Sequence, residues 1–551
     1  MLNLVTNAWI PVLRRHSGTG IIAPTQLAEA WNNDPIIALD WPRADLRVAT
    51  LELLTGLLAT ACSPRDTNAW LDWWVEPPDA AALAAAFASL AHAFELDGDG
   101  PRFMQDREDL VSAAEPVERM LIEAPGDSTV KKNTDLLVRR GQVAGMGRPA
   151  AAIALYTFQS WAPAGGAGNR TGLRGGGPLT TLVLPGAQPS LWHLLWANVP
   201  VGQPPHPADL PRIFPWLVPT LTSGAGHTVM PGTSHPSQAW WGMPRRIRLD
   251  FVPCDPPQPC GLTGAPDSMQ VPSWRQRPQG ANYEGWGDMH PLTPRYRVKP
   301  GAEILAVHPQ PGGIGYRHWL GLVVSDEGAG PLRIPAPAVT TWREGRAGGA
   351  WGRGQLTRHV EDRLLAAGYD MDNMKARGFV ESELPMPAIA DPAARARADR
   401  LARNLVRAAD LVAGLLRRAV RDALFGAGAT VKLDWEMLSA VREQLWDGTE
   451  AAFHDALARE AARPEDMETA EPDRWLRLLR DLALQLFDAT APLGADGGTL
   501  PRSDEGIRRL LRARRNLGVA LNGHGKDGAA LRAAAGLTPL DPKPAKKGRI
   551  P

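Results

Sequence analysis

The sequence predicts an α+β protein. A large mixed α/β domain with long loops is expected over residues 1–385, an antiparallel four-helix bundle over 386–521, and a flexible tail over 522–551. Three observations predict this. Before Pro385 the apolar segments are short, and Pro, Gly and Trp interrupt them often. After Pro385 apolar residues recur at helical spacing through four successive segments. The chain has 551 residues, more than one hydrophobic core ordinarily serves.

The elements follow in order. Leu2–Val12 reads as a strand, as do Leu179–Leu184, Arg246–Val252 and Leu320–Val324. Residues 45–61 read as a helix: Asp45 can cap it, and Leu46, Ala49, Leu53 and Leu57 fall on one face. Leu83–Phe94 and Pro149–Phe158 read as helices too. The stretch Pro204–Pro272 carries 15 prolines and little regular pattern, so a long functional loop is expected there. Beyond Pro385, Asp391 followed by Pro392 is a cap with proline at the first helical position. Leu401, Leu405, Ala408, Val412, Leu415 and Ala419 then share a face up to Gly426. A second helix is expected from Asp434 to about Ala462, a third from Pro472, and a fourth after Ser503. The Gly-, Ala-, Pro- and Lys-rich segment from Asn522 is expected to fray.

Composition narrows the function. Lys and Arg total 60 against 59 Asp and Glu, a net charge of +1. A chain gripping long nucleic acid unaided is usually more basic, so any such contact is local or shared with partners. Cys62, Cys254 and Cys260 cannot form a disulfide framework, which predicts a reducing cytoplasm. The first residues show no export signal, and no uncharged apolar run approaches the ~20 residues of a membrane span. The chain holds 20 Trp against 5 Tyr and 10 Phe. Trp70, Trp73, Trp74, Trp192 and Trp196 lie among apolar neighbours and read as core.

The most informative stretch runs from Gly165 to Gly177, with seven glycines in thirteen residues and two arginines, Arg170 and Arg174. Glycine admits a left-handed backbone and lets another molecule come close. Arginine offers a fork of donors for phosphate and base edges. The run lacks the GxxxxGK[ST] spacing of a phosphate loop and misses the dinucleotide fingerprint by one residue. HExxH, CxxC and GxSxG are absent from the sequence, and His454-Asp455 and Cys254/Cys260 lack further ligands at zinc spacing. No catalytic constellation, metal or cofactor is expected. An enzyme of unrecognised type, using the glycine run for a phosphate substrate, is the alternative. Lys131, Lys132, Arg139 and Arg140 form a basic segment upstream, and Arg508, Arg512 and Arg515 share a face of the last helix; phosphate contact and a solvated face both fit them.

Taken in order, several strings resemble the CasA family, the large subunit of the type I-E CRISPR surveillance complex Cascade. They are Asn7 to Val12, Pro101 to Gln105, Ala152 to Leu155, Gly172 to Gly176 with Pro178 to Thr181, Gly312 to Leu322, and Gly368 to Arg377. The resemblance implies a non-enzymatic, cytoplasmic role in antiviral defence. It implies recognition of a protospacer-adjacent motif in double-stranded DNA, help in opening the duplex to start R-loop formation, and recruitment of a helicase–nuclease. The implied partners are the other Cascade subunits, a CRISPR guide RNA and target DNA. Residue by residue, it places a groove-facing glycine loop at Gly165, Gly166, Ala167 and Gly168. It places a wedge hairpin at Asn373, Met374 and Lys375, and a minor-groove basic finger at Arg277. Lys131, Lys132, Arg139, Arg140, Arg170 and Arg174 become candidate nucleic-acid contacts. Some relatives carry two Cys pairs suited to zinc; this chain keeps only Cys254 and Cys260 in one of those regions, so no zinc is expected.

Overall fold

A computed structural model describes the chain except residues 136–137, 167, 311, 329, 348–360, 373, 427–434, 492–503 and 541–551, together with the side chains of residues 127, 225, 435 and 436. The chain divides into two compact units. One holds Met1–Ile314 and Gly321–Ala388; the other holds Gly315–Leu320 and Ile389–Pro551.

The first unit is built around helix Ala44–Ala61, which is buried along almost its whole length. A helix buried on all sides must satisfy its own polar groups. Thr50, Thr55 and Thr60 do so by donating to the carbonyls one turn back, each at 2.7 Å. Asp45 lies inside the first turn rather than at the cap, which is Arg43. Its carboxylate instead takes Arg43 and the Tyr369 hydroxyl. Beside this helix lie Arg148–Trp161 and Leu191–Asn198. Tryptophans fill the core: Trp70 and Trp196 each donate an indole N–H to the other's backbone carbonyl, at 2.9 and 2.8 Å.

Among the described residues the strands of this unit form four small sheets. Ile10–Arg14 pairs antiparallel with Gly18–Ile22 on one side and Ile36–Leu39 on the other. The expected strand over Leu2–Val12 is therefore confined to its second half. In the second sheet, Arg363–Asp372 sits between Thr180–Leu184 and Lys375–Pro385, antiparallel to both. In the third, Arg246–Pro259 and Pro266–Arg277 form a long hairpin, so regular structure covers the second half of the proline-rich stretch. Arg246–Pro259 pairs on one side only; Pro253, Pro256, Pro257 and Pro259 are tolerated because an edge strand loses no ladder bond to a missing N–H. The fourth sheet joins Arg295–Arg297 to Leu305–Ala306 and Leu332–Ile334. Trp319–Leu322 forms a helical turn where a strand over Leu320–Val324 was expected.

The second unit is helical. Its first helix, Pro392–Phe425, begins as the sequence indicates: the Asp391 carboxylate accepts from Ala394 N at 2.6 Å, with Pro392 at the first position. Beyond it the described residues hold Trp435–Asp447, Glu450–Ala462, Glu471–Thr490, Asp504–Leu521 and Gly525–Ala534. The arrangement differs from a four-helix bundle in two ways. The expected second helix breaks at Gly448 and Thr449, where the Thr449 hydroxyl bonds back to Leu445 O and meets Tyr316 Oη at 2.6 Å. Its expected start, Asp434, lies outside the described residues, as do Ser503 before the last helix and 541–551 of the tail. Within the described part of the tail, Gly525–Ala534 is a helix that buries Leu531. Tyr316 stacks on Phe453 at 4.6 Å. Gly315–Leu320 thus belongs with the helices, although the sequence placed it in the first domain.

Candidate nucleic-acid interface

The glycine run starts where helix Arg148–Trp161 ends. Pro163 favours an extended residue before it, and the helix stops at Ala162. The run then divides in two.

In the first half the chain makes a tight turn: Asn169 N donates to Gly166 O at 2.8 Å, and Gly165 N to Asn169 O at 3.2 Å. Gly166 and Gly168 hold φ of +64° and +80°. A Cβ on Gly166 would meet nothing within 4 Å, so that position faces open space. One on Gly168 would lie 3.2 Å from the backbone nitrogen and Cγ of Gln279. Ala167 lies outside the described residues. The exposed turn rests on Arg277–Gly280, with Gln279 N donating to Gly168 O at 3.0 Å. Arg277 is exposed at the end of its strand, opposite Arg246 in register. The structure therefore brings Gly165, Gly166 and Gly168 together with the segment that carries Arg277.

Arg245 holds both stems of this turn. Its guanidinium donates to the Pro163 carbonyl and to Arg170 O, and lies 4.5 Å from the centroid of the Phe158 ring. Burial lowers its pKa to about 10, so it stays charged at neutral pH. Among the described residues no carboxylate pairs with it. A cation beneath the loop, in a low-dielectric setting, favours an anion above. The half-buried Arg170 donates to Ser223 Oγ at 3.2 Å, and Ser223 N lies 3.1 Å from Gln279 O. Thr222–Gly226 is thus a third segment at this place. Neither Arg245 nor Gln279 nor Ser223 stands out in the sequence, because only the tertiary fold brings these segments together.

The second half of the run is structural. Arg174 is buried and pairs with Glu52 of the central helix, and it also donates to Thr180 Oγ1 at 3.1 Å and Thr293 Oγ1 at 3.0 Å. Its place among the candidate nucleic-acid contacts is corrected: a guanidinium at 5% exposure, with both terminal nitrogens bonded within the chain, cannot meet a phosphate. Glu52 in the run Leu51-Glu52-Leu53-Leu54 was the available signal, since a buried carboxylate needs a partner. Gly177, at φ +67°, would carry a Cβ 2.7 Å from Tyr369 O and 2.9 Å from Met371. The run ends against the hairpin that bears the other candidate residues.

That hairpin joins Arg363–Asp372 to Lys375–Pro385. Its register pairs Tyr369 with Phe379 and Asp372 with Lys375, which leaves Met374 in the turn between the strands. Such turns need left-handed residues to match the strand twist. Met374 takes φ +64° without being glycine and is 57% exposed; a large apolar side chain stands free at the tip. Lys375 beside it is exposed too. Asn373 lies outside the described residues. Arg377 holds Asp370 with two bonds, at 3.0 and 2.7 Å, across the register shift at Asp370/Met371.

The upstream basic segment stays apart. Lys131 and Lys132 end helix Asp127–Lys132, and both are exposed with Arg139. Arg140 is bound to Asp135 and to Asn133 Oδ1 at 3.1 Å, so part of its charge is neutralised locally. Among the described residues no hydrogen bond or ion pair ties this segment to the glycine turn. In the helical unit, Arg508, Arg512 and Arg515 are exposed on Asp504–Leu521. No cluster of three or more potential metal ligands occurs among the described residues, and no described helix is long and apolar enough to cross a membrane.

Comparison with known proteins agrees on one family. Residues 3–486 match the family described as CRISPR-associated protein Cse1. The fold is similar to that of Thermus thermophilus CasA, at 18% identity and a TM-score of 0.66, covering 95% of this chain and 100% of that one. It is also similar to Thermobifida fusca Cse1, at 17% identity and 0.67, covering 98% of each. A third similar chain, 15% identical with a TM-score of 0.63, comes from a structure described as a CRISPR RNA-guided surveillance complex and covers 94% of this chain and 99% of that one. With the family match spanning most of its length, this chain belongs to the CRISPR-associated Cse1 family.

Proposed function

We propose that this chain is the DNA-reading large subunit of an RNA-guided Cascade complex. It recognises a protospacer-adjacent motif in duplex DNA through the glycine turn Gly165–Gly168. It starts R-loop formation with the hairpin tip at Asn373, Met374 and Lys375, and it then recruits a helicase–nuclease. The observation that carries the reading is Gly166, left-handed, exposed and with open space where a Cβ would point. Such a backbone can enter the minor groove, where a side chain would strike base-pair edges. Arg277 on the adjoining segment supplies phosphate or groove contact, and the buried charge of Arg245 adds a favourable field. Met374 is suited to enter the base stack, as apolar wedges do at kinked steps. Near-neutral overall charge fits a subunit whose guide RNA and neighbours supply most of the binding channel. The role is one of binding, so the purified chain should show neither nuclease nor ATPase turnover.

The direct test uses the assembled complex with its guide RNA. Gly166→Asp should abolish binding to motif-bearing duplex while leaving assembly intact: the new side chain meets no protein atom, and its left-handed backbone should cost only about 1 kcal/mol of stability. Parent-like duplex affinity in that variant would falsify the groove-reading role. Turnover that survives repeated purification would instead favour an enzyme.

A further inference from the structure

We infer that Gln279 is a base-reading side chain of the motif site, selecting between G·C and A·T pairs from the minor groove. This rests on the reading of Gly165–Gly168 as groove-facing.

The geometry points to Gln279 on three counts. First, it is an exposed, non-glycine residue held at φ +63°. Left-handed backbone is disfavoured for such a side chain, and residues kept there cluster at functional sites. Second, two glycines make room for it. A Cβ on Gly168 would meet its Cγ at 3.2 Å, and one on Gly224 would meet its Oε1 at 2.6 Å and Cδ at 3.3 Å. Its backbone is pinned from both sides, by Gly168 O to its nitrogen at 3.0 Å and by Ser223 N to its carbonyl at 3.1 Å. Third, the amide makes no hydrogen bond among the described residues. A side chain this closely placed at its base, with a free donor and a free acceptor at its end, is arranged for something outside the chain.

The chemistry fits the groove's code. In the minor groove A·T and T·A present only acceptors, whereas G·C adds the guanine amino donor. A carboxamide answers both: its NH2 donates to purine N3 or pyrimidine O2, and its oxygen accepts from guanine N2. Arginine, as at Arg277, only donates and cannot register that amino group. Gln279 therefore adds the acceptor that the neighbouring cation lacks.

Gln279→Gly is the test, because glycine takes the same left-handed backbone without strain and the change removes the side chain with its amide. The assembled, guide-loaded complex is titrated with duplexes in which each motif pair is changed in turn, with Gly166→Asp run in parallel. Gln279→Gly should keep assembly and melting temperature. It should narrow the preference between G·C and A·T by about tenfold at one motif position and leave the others as in the parent. An unchanged ranking of duplexes, or an equal loss on all of them, overturns the inference. If Gly166→Asp abolishes binding while Gln279→Gly is silent, only the role of Gln279 falls. If both are silent, the groove-facing reading falls with it.

Discussion

Trp161 stacks on Phe379, with ring centroids 5.8 Å apart and planes 25° from parallel. Trp161 is the last residue of the helix that launches the glycine run, and its carbonyl accepts from Gly177 N at 2.7 Å. Phe379 lies on the second strand of the hairpin whose tip carries Met374. One ring pair therefore ties the mount of the turn to the mount of the tip. Aromatic pairs contribute about 0.5–1.5 kcal/mol beyond area burial. Phe379→Leu should lower thermal stability modestly and slow duplex opening several-fold at saturating complex, while initial motif binding changes less. A fluorescent base analogue beside the motif reports opening. Parent-like opening rates would separate the two mounts.

Met374 sits in left-handed backbone at an exposed turn. Met374→Gly relieves that conformation and should hold or raise stability, by up to about 1 kcal/mol. The same change removes the apolar tip, so strand opening should slow by an order of magnitude or more while assembly is kept. Calorimetry and the base-analogue assay read the two effects separately. A variant that opens DNA at the parent rate argues against the tip as wedge.

Arg174 and Arg277 should fail in opposite ways. Removing one partner of a buried ion pair typically costs about 3–5 kcal/mol, so Arg174→Ala should lower the melting temperature sharply, with Glu52→Gln close behind. The salt dependence of duplex binding should stay at the parent slope in whatever Arg174→Ala complex remains folded. Arg277→Ala should leave stability alone and reduce that slope by about one. Titrations at three or more salt concentrations decide it.

Two buried groups give opposing pH dependences. Burial raises Asp362 to about 6, although it accepts from Gly186 N at 2.7 Å and the Trp342 indole at 2.9 Å. Its contribution is present at low pH and is lost as pH rises through about 6. His193, driven down to about 4 by burial, acts the other way: its contribution is present above the usual 6.5 and lost as pH falls through about 4. Asp362→Asn removes only the first. The melting-temperature advantage of the parent over Asp362→Asn should therefore shrink between pH 4 and pH 6. A constant gap would place the Asp362 pKa at its ordinary value.

The C-terminal helices were legible because their apolar positions repeat with the helix period, and Asp391 with Pro392 marks a start by local chemistry alone. The tryptophan core was legible from its apolar neighbours. Local signals failed where distant contacts decide. Gly448 and Thr449 end a helix that the apolar pattern alone would carry through. Proline argued against strands at Pro253–Pro259, yet an unpaired edge admits it. At the site, the glycine run announced a special backbone but not its division. Arg174 looks exposed when read beside its glycines and is buried once Glu52 is considered. Arg245 and Gln279 contact segments that are far apart in sequence, so no local pattern marks them.

The glycine run carries two kinds of dependence within thirteen residues. A side chain at Gly166 meets solvent, whereas one at Gly177 meets the Tyr369 carbonyl. In a population of random variants selected for phage resistance, losses at the first half should appear with normal amounts of protein in the cell. Losses at the second half should appear as protein missing from it. Comparing abundance with resistance, codon by codon, would draw the border between the part proposed to meet DNA and the part that meets the rest of the chain.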